Sequence, residues 1–381
     1  NLNDHNEGFG PVTFTGGQVD TGTGEFDMYG TVTVNPADTG AVINGHLGLP
    51  SGDDRVFIVG DGNAICDLLI NAVVLGTPHA FVVKQGLGTM CLANANTYEA
   101  TTLLEEGILD VSNGAALGNP VGTIIFAGAT LRLDGAGITL PENLEVLGAG
   151  AGGTHGAVEV TAGSIFLLTG EIYMDGASTL NIVGPDARAT LAGPVFGTGP
   201  LVKNGAGALY LGGSVANSYS GDTIVNEGSL NLTKNNFITA VPHNLVVGPA
   251  PPGSSAVTRH FQAGGMGGDV VTVNANSSVD LNGFNQTINQ LNLNDGGGVQ
   301  TRGGTLGFSP GGLVAVGSLS PAGSHASSSI TGVLGLPANA LLTFDVHSYA
   351  ATPPFVAGPE LDLPAAIPAP TESSGSIPAG L

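Results

Sequence analysis

Tryptophan is missing from this chain, lysine occurs only three times, and charged residues of every kind make up 10% of it. Each scarcity removes a class of answer. Lys, Glu and Arg build exposed helical faces, and their shortage, with 63 Gly and 23 Pro as helix breakers, argues against α-helical architecture. Eight basic residues against thirty acidic ones give a net charge of −22. That balance excludes nucleic acid as a partner and argues against docking on anionic membranes. No apolar run approaches the roughly 18 residues of a membrane-spanning helix. Asn1-Leu2-Asn3-Asp4-His5 does not read as a signal peptide. With only Cys66 and Cys91, neither in a CxxC pair, zinc and thioredoxin-type chemistry fall away. Collagen fails for want of a Gly-X-Y period. Disorder fails too, because 42% hydrophobic residues is ample core material.

Internal repetition is what the chain has instead. Val83-Lys84-Gln85-Gly86-Leu87-Gly88-Thr89-Met90-Cys91-Leu92 recurs as Val202-Lys203-Asn204-Gly205-Ala206-Gly207-Ala208-Leu209-Tyr210-Leu211, an offset of 119 residues. After a two-residue insertion, Asn96-Thr97-Tyr98 meets Asn217-Ser218-Tyr219 and Glu106-Gly107 meets Glu227-Gly228. Residues 83–111 thus match 202–232. A longer self-match joins 1–60 to 292–347: Asn1-Leu2-Asn3-Asp4 returns as Asn292-Leu293-Asn294-Asp295, and Gly45-His46-Leu47-Gly48-Leu49-Pro50 as Gly332-Val333-Leu334-Gly335-Leu336-Pro337.

Between the matches, short alternating runs such as Val32-Thr33-Val34, Leu131-Arg132-Leu133 and Leu230-Asn231-Leu232 place apolar residues on one face of a strand. Asn-Gly or Asp-Gly separates them, at Asn44-Gly45, Asn113-Gly114, Asp134-Gly135 and Asn282-Gly283. Such pairs serve hairpins, so an antiparallel meander is one reading. Solenoid corners need the same residues, and the unequal arms around these turns favour the solenoid. At about 20–25 residues per coil, residues 1–347 give roughly 14–17 coils of one β-helical domain. Seven prolines between 348 and 381 mark an extended tail.

The pattern Lys203-x-Gly205-x-Gly207-x-Leu209-x-Leu211, Asn217-x-Tyr219-x-Gly221-x-Thr223, Glu227-Gly228-x-Leu230 resembles the autotransporter-associated β-strand repeat, also called the passenger-associated transport repeat. The first copy departs from it at Met90 and Ala100. Asp280-Leu281-Asn282-Gly283-Phe284-Asn285-Gln286-Thr287-Ile288 resembles the segment that often follows such repeats. The resemblance implies a right-handed parallel β-helix exported across a Gram-negative envelope, with its repeat positions serving as scaffold. Those positions are Lys84, Gly86, Gly88, Tyr98, Glu106 and Gly107 in the first copy and Lys203, Gly205, Gly207, Tyr219, Glu227 and Gly228 in the second.

Candidate chemistry is thin. Glu105-Glu106 reads as adjacent strand residues pointing to opposite faces, a poor acid/base couple. Asp53, Asp54, Asp61 and Asp67 form an acidic stretch, read as a solvated turn, without the aromatic platforms that carbohydrate-active β-helices present. Gly148-Ala149-Gly150-Ala151-Gly152-Gly153 satisfies GxGxxG, but strand pattern follows it, not a helix, so it reads as a loop. The eight histidines (5, 46, 79, 155, 243, 260, 325, 347) are scattered. Lys84 and Lys203 are expected to pair with carboxylates. Cys66 and Cys91, about one coil apart, are expected on neighbouring coils within reach of a disulfide, with stacked thiols as the alternative.

The expected protein is a non-catalytic structural or adhesive component of a bacterial surface, extracellular, with no cofactor and no bound metal in its chemistry. Cell-surface or glycan contacts are its expected partners. Diffuse calcium binding, a glycan-binding module and a carbohydrate-active enzyme are the competing readings. Because the first coil shows no polar cap, head-to-tail stacking into a fibre is expected, the proline-rich tail clasping the next copy. The rival arrangement folds the tail back on its own chain.

Overall fold

The computed structural model describes residues 1–76, 81–249, 251, 253–317 and 326–336, with the backbone alone of Leu341–Val346 and Gly375–Pro378. It divides into two compact units, Asn1–Gly207 and Ala208–Leu381. Both are stacks of short parallel strands. The one helical element among the described residues is a single 3-10 turn, Ala151–Gly153, inside the Gly-rich run.

In the first unit each coil contributes up to three strands, one per face. One face is a nine-stranded sheet from Val12–Phe14, Val32–Val34 and Arg55–Val59 up to Ile172–Met174 and Val195–Gly197. Successive strands lie in parallel register at intervals from 20 residues (Val12 against Val32) to 28 (Val146 against Met174). On a second face the register stacks Ile43, Ile70, Leu92, Val111, Leu133, Val160 and Ile182 into one column. All of these side chains are buried. The alternation seen in the sequence explains the column, because each inward residue rests on the equivalent residue of the coil below. Truncating a central member, Leu133→Ala, would cost about 2–5 kcal/mol through lost burial and the cavity left behind.

The second unit follows the same plan. Ala208–Leu211, Gly228–Leu232, Ala256–His260 and Ser277–Asp280 stack in parallel on one face, and Thr223–Val225, Leu245–Val247 and Val270–Val273 on another. Gly298–Gly317 is a continuous 20-residue strand that pairs in turn with Ser278–Asp280, Gln286–Ile288 and Gln290–Asn294. It turns its corners through left-handed residues, including Arg302 (φ 49°), Gly303 (φ 95°) and Gly311 (φ 82°).

The antiparallel meander is excluded, since every described ladder is parallel except one: Gly375–Pro378 runs antiparallel to Leu341–Phe344. The Asn-Gly and Asp-Gly pairs are corners or bends. Gly45 bends the strand Ala41–Leu49 at φ 93°, and Gly332 bends Ser329–Gly335 at φ 117°. The two bends share one device. A Cβ on Gly45 would fall 2.0 Å from Oγ1 of Thr21 on the coil below, and one on Gly332 equally 2.0 Å from Oγ1 of Thr301. Both threonines are fully buried and accept the next main-chain N–H, from His46 and from Val333, at 2.9 Å. Only glycine supplies both that conformation and that clearance.

Candidate functional site

The repeat residues converge on one corner of the coil. Lys84 stands at an inward position, in register between Phe57 and Leu104, where alternation would place an aliphatic residue. Its side chain is 1% exposed. The stem lies in the core, and Nζ turns to the corner, donating to the main-chain oxygens of Gly86 (2.6 Å), Glu106 (2.9 Å) and Gln85 (3.2 Å). Burial lowers its pKa to about 8, against the opposing pull of the Glu106 and Asp67 charges. The expected carboxylate pairing is therefore corrected: the acceptors are carbonyls of the turn. Gly86 adopts φ +77° beneath it, and any Cβ there would meet the Val59 oxygen at 2.4 Å. Gly88 and Gly107 pack as closely, on the Gly60 and Gly86 oxygens respectively.

At the next corner Asn96 bridges three coils, accepting from Val74 N–H (2.8 Å) and donating to the Ala116 oxygen (2.6 Å). Tyr98 is buried with its hydroxyl on Thr102 Oγ1 at 3.0 Å, and desolvation raises its pKa. The second copy repeats these bonds. Lys203, fully buried in register with Leu180, donates to the Asn204 and Gly205 oxygens. Gly205 has φ +80° and packs against the Ile182 oxygen; Gly207 approaches Ile182 itself. In the second unit Asn217 donates to the Ala240 oxygen at 2.8 Å, and the Tyr219 hydroxyl bonds Thr223. Gly228 turns left-handed at φ 71°, and Glu227 accepts from Ser254 Oγ at 2.7 Å. The recurring Lys and Tyr side chains are thus buried and hydrogen-bonded within the coil.

The other candidates resolve individually. Glu105 and Glu106 are not strand neighbours on opposite faces. Both are exposed in the corner between Thr101–Leu104 and Gly107–Val111, where Glu105 accepts from Gln85 at 2.8 Å. Asp53, Asp54 and Asp61 are exposed, but Asp67 is not part of a solvated turn. It is buried and accepts the Gly62 and Thr89 N–H groups, both at 2.8 Å. Histidines 79, 325 and 347 lie outside the described residues. His155 bonds Glu159 at 2.8 Å and His243 lies 3.4 Å from Asp269. Among the described residues no three His, Cys, Asp or Glu side chains converge as metal ligands.

Cys66 and Cys91 are joined by a disulfide, with Cα atoms 5.8 Å apart. They are not register partners. Cys91 stacks between Leu69 and Asp110 on the outward side of its strand, and Cys66 stands at the corner before Leu68–Gly76. The bond therefore ties that corner to the strand Thr89–Leu92 of the next coil.

Sequence reasoning missed the outward column that continues above Cys91: Asp110, Arg132, Glu159 and Asn181, in register coil upon coil. Arg132 bonds Glu159 at 2.9 Å and lies 3.9 Å from Asp110. Burial, reinforced by Asp134 and Glu159, pushes Asp110 up to about 6. It also missed Glu142, buried on Thr123 Oγ1 at 3.0 Å and raised by desolvation to about 7. Spacings near the coil length were the available signal for the column. A lone Glu offers no such signal.

The passenger-associated-transport-repeat family matches residues 82–111 and 201–232, each within one residue of the self-match. The Adhesin BmaC autotransporter of Brucella suis biovar 1 (strain 1330) is 31% identical over 185 residues, covering 46% of this chain and 5% of that protein. The chain thus spans only about 5% of the length of this relative. No solved structure matches it. Both matched stretches carry the same corner residues on coiled parallel strands, so the chain contains two passenger-associated transport repeats.

Proposed function

We propose that this chain is a non-catalytic, extracellular stretch of a bacterial surface adhesin, a scaffold that displays outward side chains along stacked coils. The observation that carries the reading is that the recurring polar side chains, Lys84, Lys203, Tyr98 and Tyr219, are buried and engaged in internal hydrogen bonds. A repeat selected for catalysis would keep such groups open to a substrate. The similar Brucella suis protein is named an adhesin, which supports the same direction. The test uses the purified chain labelled at its N-terminus. Saturable binding to cell monolayers or immobilised glycans, displaced by excess unlabelled chain, is expected, with no cleavage of a panel of polysaccharides. Cleavage of any of them, or no displaceable binding to any surface, overturns the reading.

Assembly into a fibre is the finer form of this proposal, and it makes a definite demand. Gly375–Pro378 already pairs with Leu341–Phe344, so a second copy adding at that edge must displace this strand. Sedimentation velocity of the full chain is expected to show concentration-dependent oligomers. A monomer at all concentrations ends the fibre form and leaves the adhesive one intact.

A further inference from the structure

Four of the eight basic side chains, Lys84, Lys203, Lys234 and Arg55, are buried. Of those that reach the surface, two meet at one place. Asp280, the last residue of Ser277–Asp280, is 5% exposed and lies between Arg259 and Arg302. Its Oδ2 accepts from Arg259 Nε at 3.1 Å, and its Oδ1 from Arg302 Nε and from the Asn282 N–H, both at 2.9 Å. The carboxylate is therefore satisfied, while both guanidinium groups touch it only through their Nε edges. Their side chains are 41% and 56% exposed, and their outer Nη groups carry no other hydrogen bond among the described residues. Phe261 and Asn282 complete a shallow groove of about 280 Å3 with these three residues.

We propose that this groove binds the carboxylate of an acidic sugar unit, such as a uronate. Two guanidinium groups against one carboxylate leave a local charge of +1, and Asp280 holds both at a fixed separation, pre-organised for a planar anion. A column that only needs neutralising requires no second arginine, as the single Arg132 between Asp110 and Glu159 shows. Phe261, 37% exposed, supplies an apolar wall for the C–H face of a pyranose ring, and the exposed Asn282 amide can meet ring hydroxyls. The rest of the chain favours one charge per unit over a dense polyanion. A net charge of −22 repels sulfated polymers and nucleic acids, whereas a single carboxylate is held by the local pair. The proposal deepens the adhesive reading by naming a ligand class.

The full chain is titrated with a glucuronate disaccharide, the matching neutral glucose disaccharide and a sulfated disaccharide, followed by saturation-transfer NMR and calorimetry. Glucuronate is expected to bind and the neutral sugar not to. Arg302→Gln and Arg259→Gln should each weaken binding at least about tenfold, and Phe261→Ala should weaken it less. Arg302 is the more exposed of the two arginines, so its variant is expected to keep the parent unfolding midpoint, checked in parallel. Equal binding of the neutral sugar, preference for the sulfated one, or an unchanged affinity in Arg302→Gln overturns the proposal. Cell binding that survives the loss of both arginines would refute this site and leave the adhesive function standing.

Discussion

The two units carry the same coil but bury different ionisable groups, so one architecture has two responses to pH and reduction. Asn1–Gly207 holds the disulfide, the raised carboxyls of Glu142 and Asp110, and Lys84 with three carbonyl partners. Ala208–Leu381 holds Lys234, which donates to the Gly212 oxygen at 2.6 Å, and His260, which is fully buried. The outward columns differ as well. One arginine sits between two acids in the first unit, and two arginines flank one acid in the second. The backbone ladder of a β-solenoid tolerates such variety because each coil needs only apolar stacking and satisfied corners.

The largest way to break the comparison is at the corner lysines. Lys84→Ala should destabilise the first unit by about 3–5 kcal/mol, since it leaves main-chain oxygens unsatisfied and opens a cavity under the turn. Lys234→Ala removes its hydrogen bond to the Gly212 oxygen and should cost the second unit about 1–2 kcal/mol. Urea unfolding, with a fluorescent probe in each unit, separates the two. Equal shifts would show that the three carbonyl bonds of Lys84 are not what distinguishes it.

Reduction comes next. Opening the Cys66–Cys91 bond, whose cysteines are 25 residues apart, should lower the stability of the first unit by about 3 kcal/mol and leave the second unchanged. Two thiols should titrate in the denatured protein only after reductant. Thiol reactivity before reductant would mean the cysteines are not bonded in solution.

Acidification should drive the units apart. Burial lowers His260 from 6.5 to about 4, so between those values the unfolded chain binds a proton that the folded one refuses. The second unit therefore loses stability as pH falls from 6.5 to 4, by roughly 2–3 kcal/mol. In the first unit the sign reverses. Glu142 titrates near 7 when folded and from 4.5 when unfolded, so the folded state holds the extra proton. The first unit thus gains stability as pH falls through 7 towards 4.5, by roughly 1–2 kcal/mol. His260→Leu should flatten the profile of the second unit and Glu142→Gln that of the first. A parallel fall of both midpoints would refute the assignment.

The smallest effect is chemical. With all three lysines at most 2% exposed, an amine-acylating reagent should modify the native chain only at its N-terminus and reach the lysines on unfolding. Mass spectrometry of the peptides reads this directly. Native acylation of Lys234 ahead of Lys84 would sharpen the comparison, because Lys84 has the larger set of internal partners.

Much of this was legible in advance, and the reason is periodicity. Alternation fixes which residues of Leu131-Arg132-Leu133 face inward, and stacking then turns every inward residue into a column. The Gly45 and Gly332 bends were visible as a recurring hexapeptide before any threonine was known to lie beneath them. Lys84 was legible as a recurring position but not as an inward one. Lysine is the residue least expected in a core, and its acceptors are carbonyls, which every residue possesses.

The sequence by itself determined the coil, its repeats and its corners, because these depend on local alternation and on conformations open chiefly to glycine. Only the tertiary structure decided what meets across coils. Arg259, Asp280 and Arg302 are 21 and 22 residues apart in the chain, and stacking brings the Nε of each arginine within 3.1 Å of an Asp280 carboxylate oxygen. Cys91 reaches a corner residue and not its register partner Leu69. Register intervals among the described strands vary from 19 residues (Glu7 against Phe26) to 31 (Gly298 against Ser329), so register accumulates corner by corner, and no fixed period in the sequence reports it.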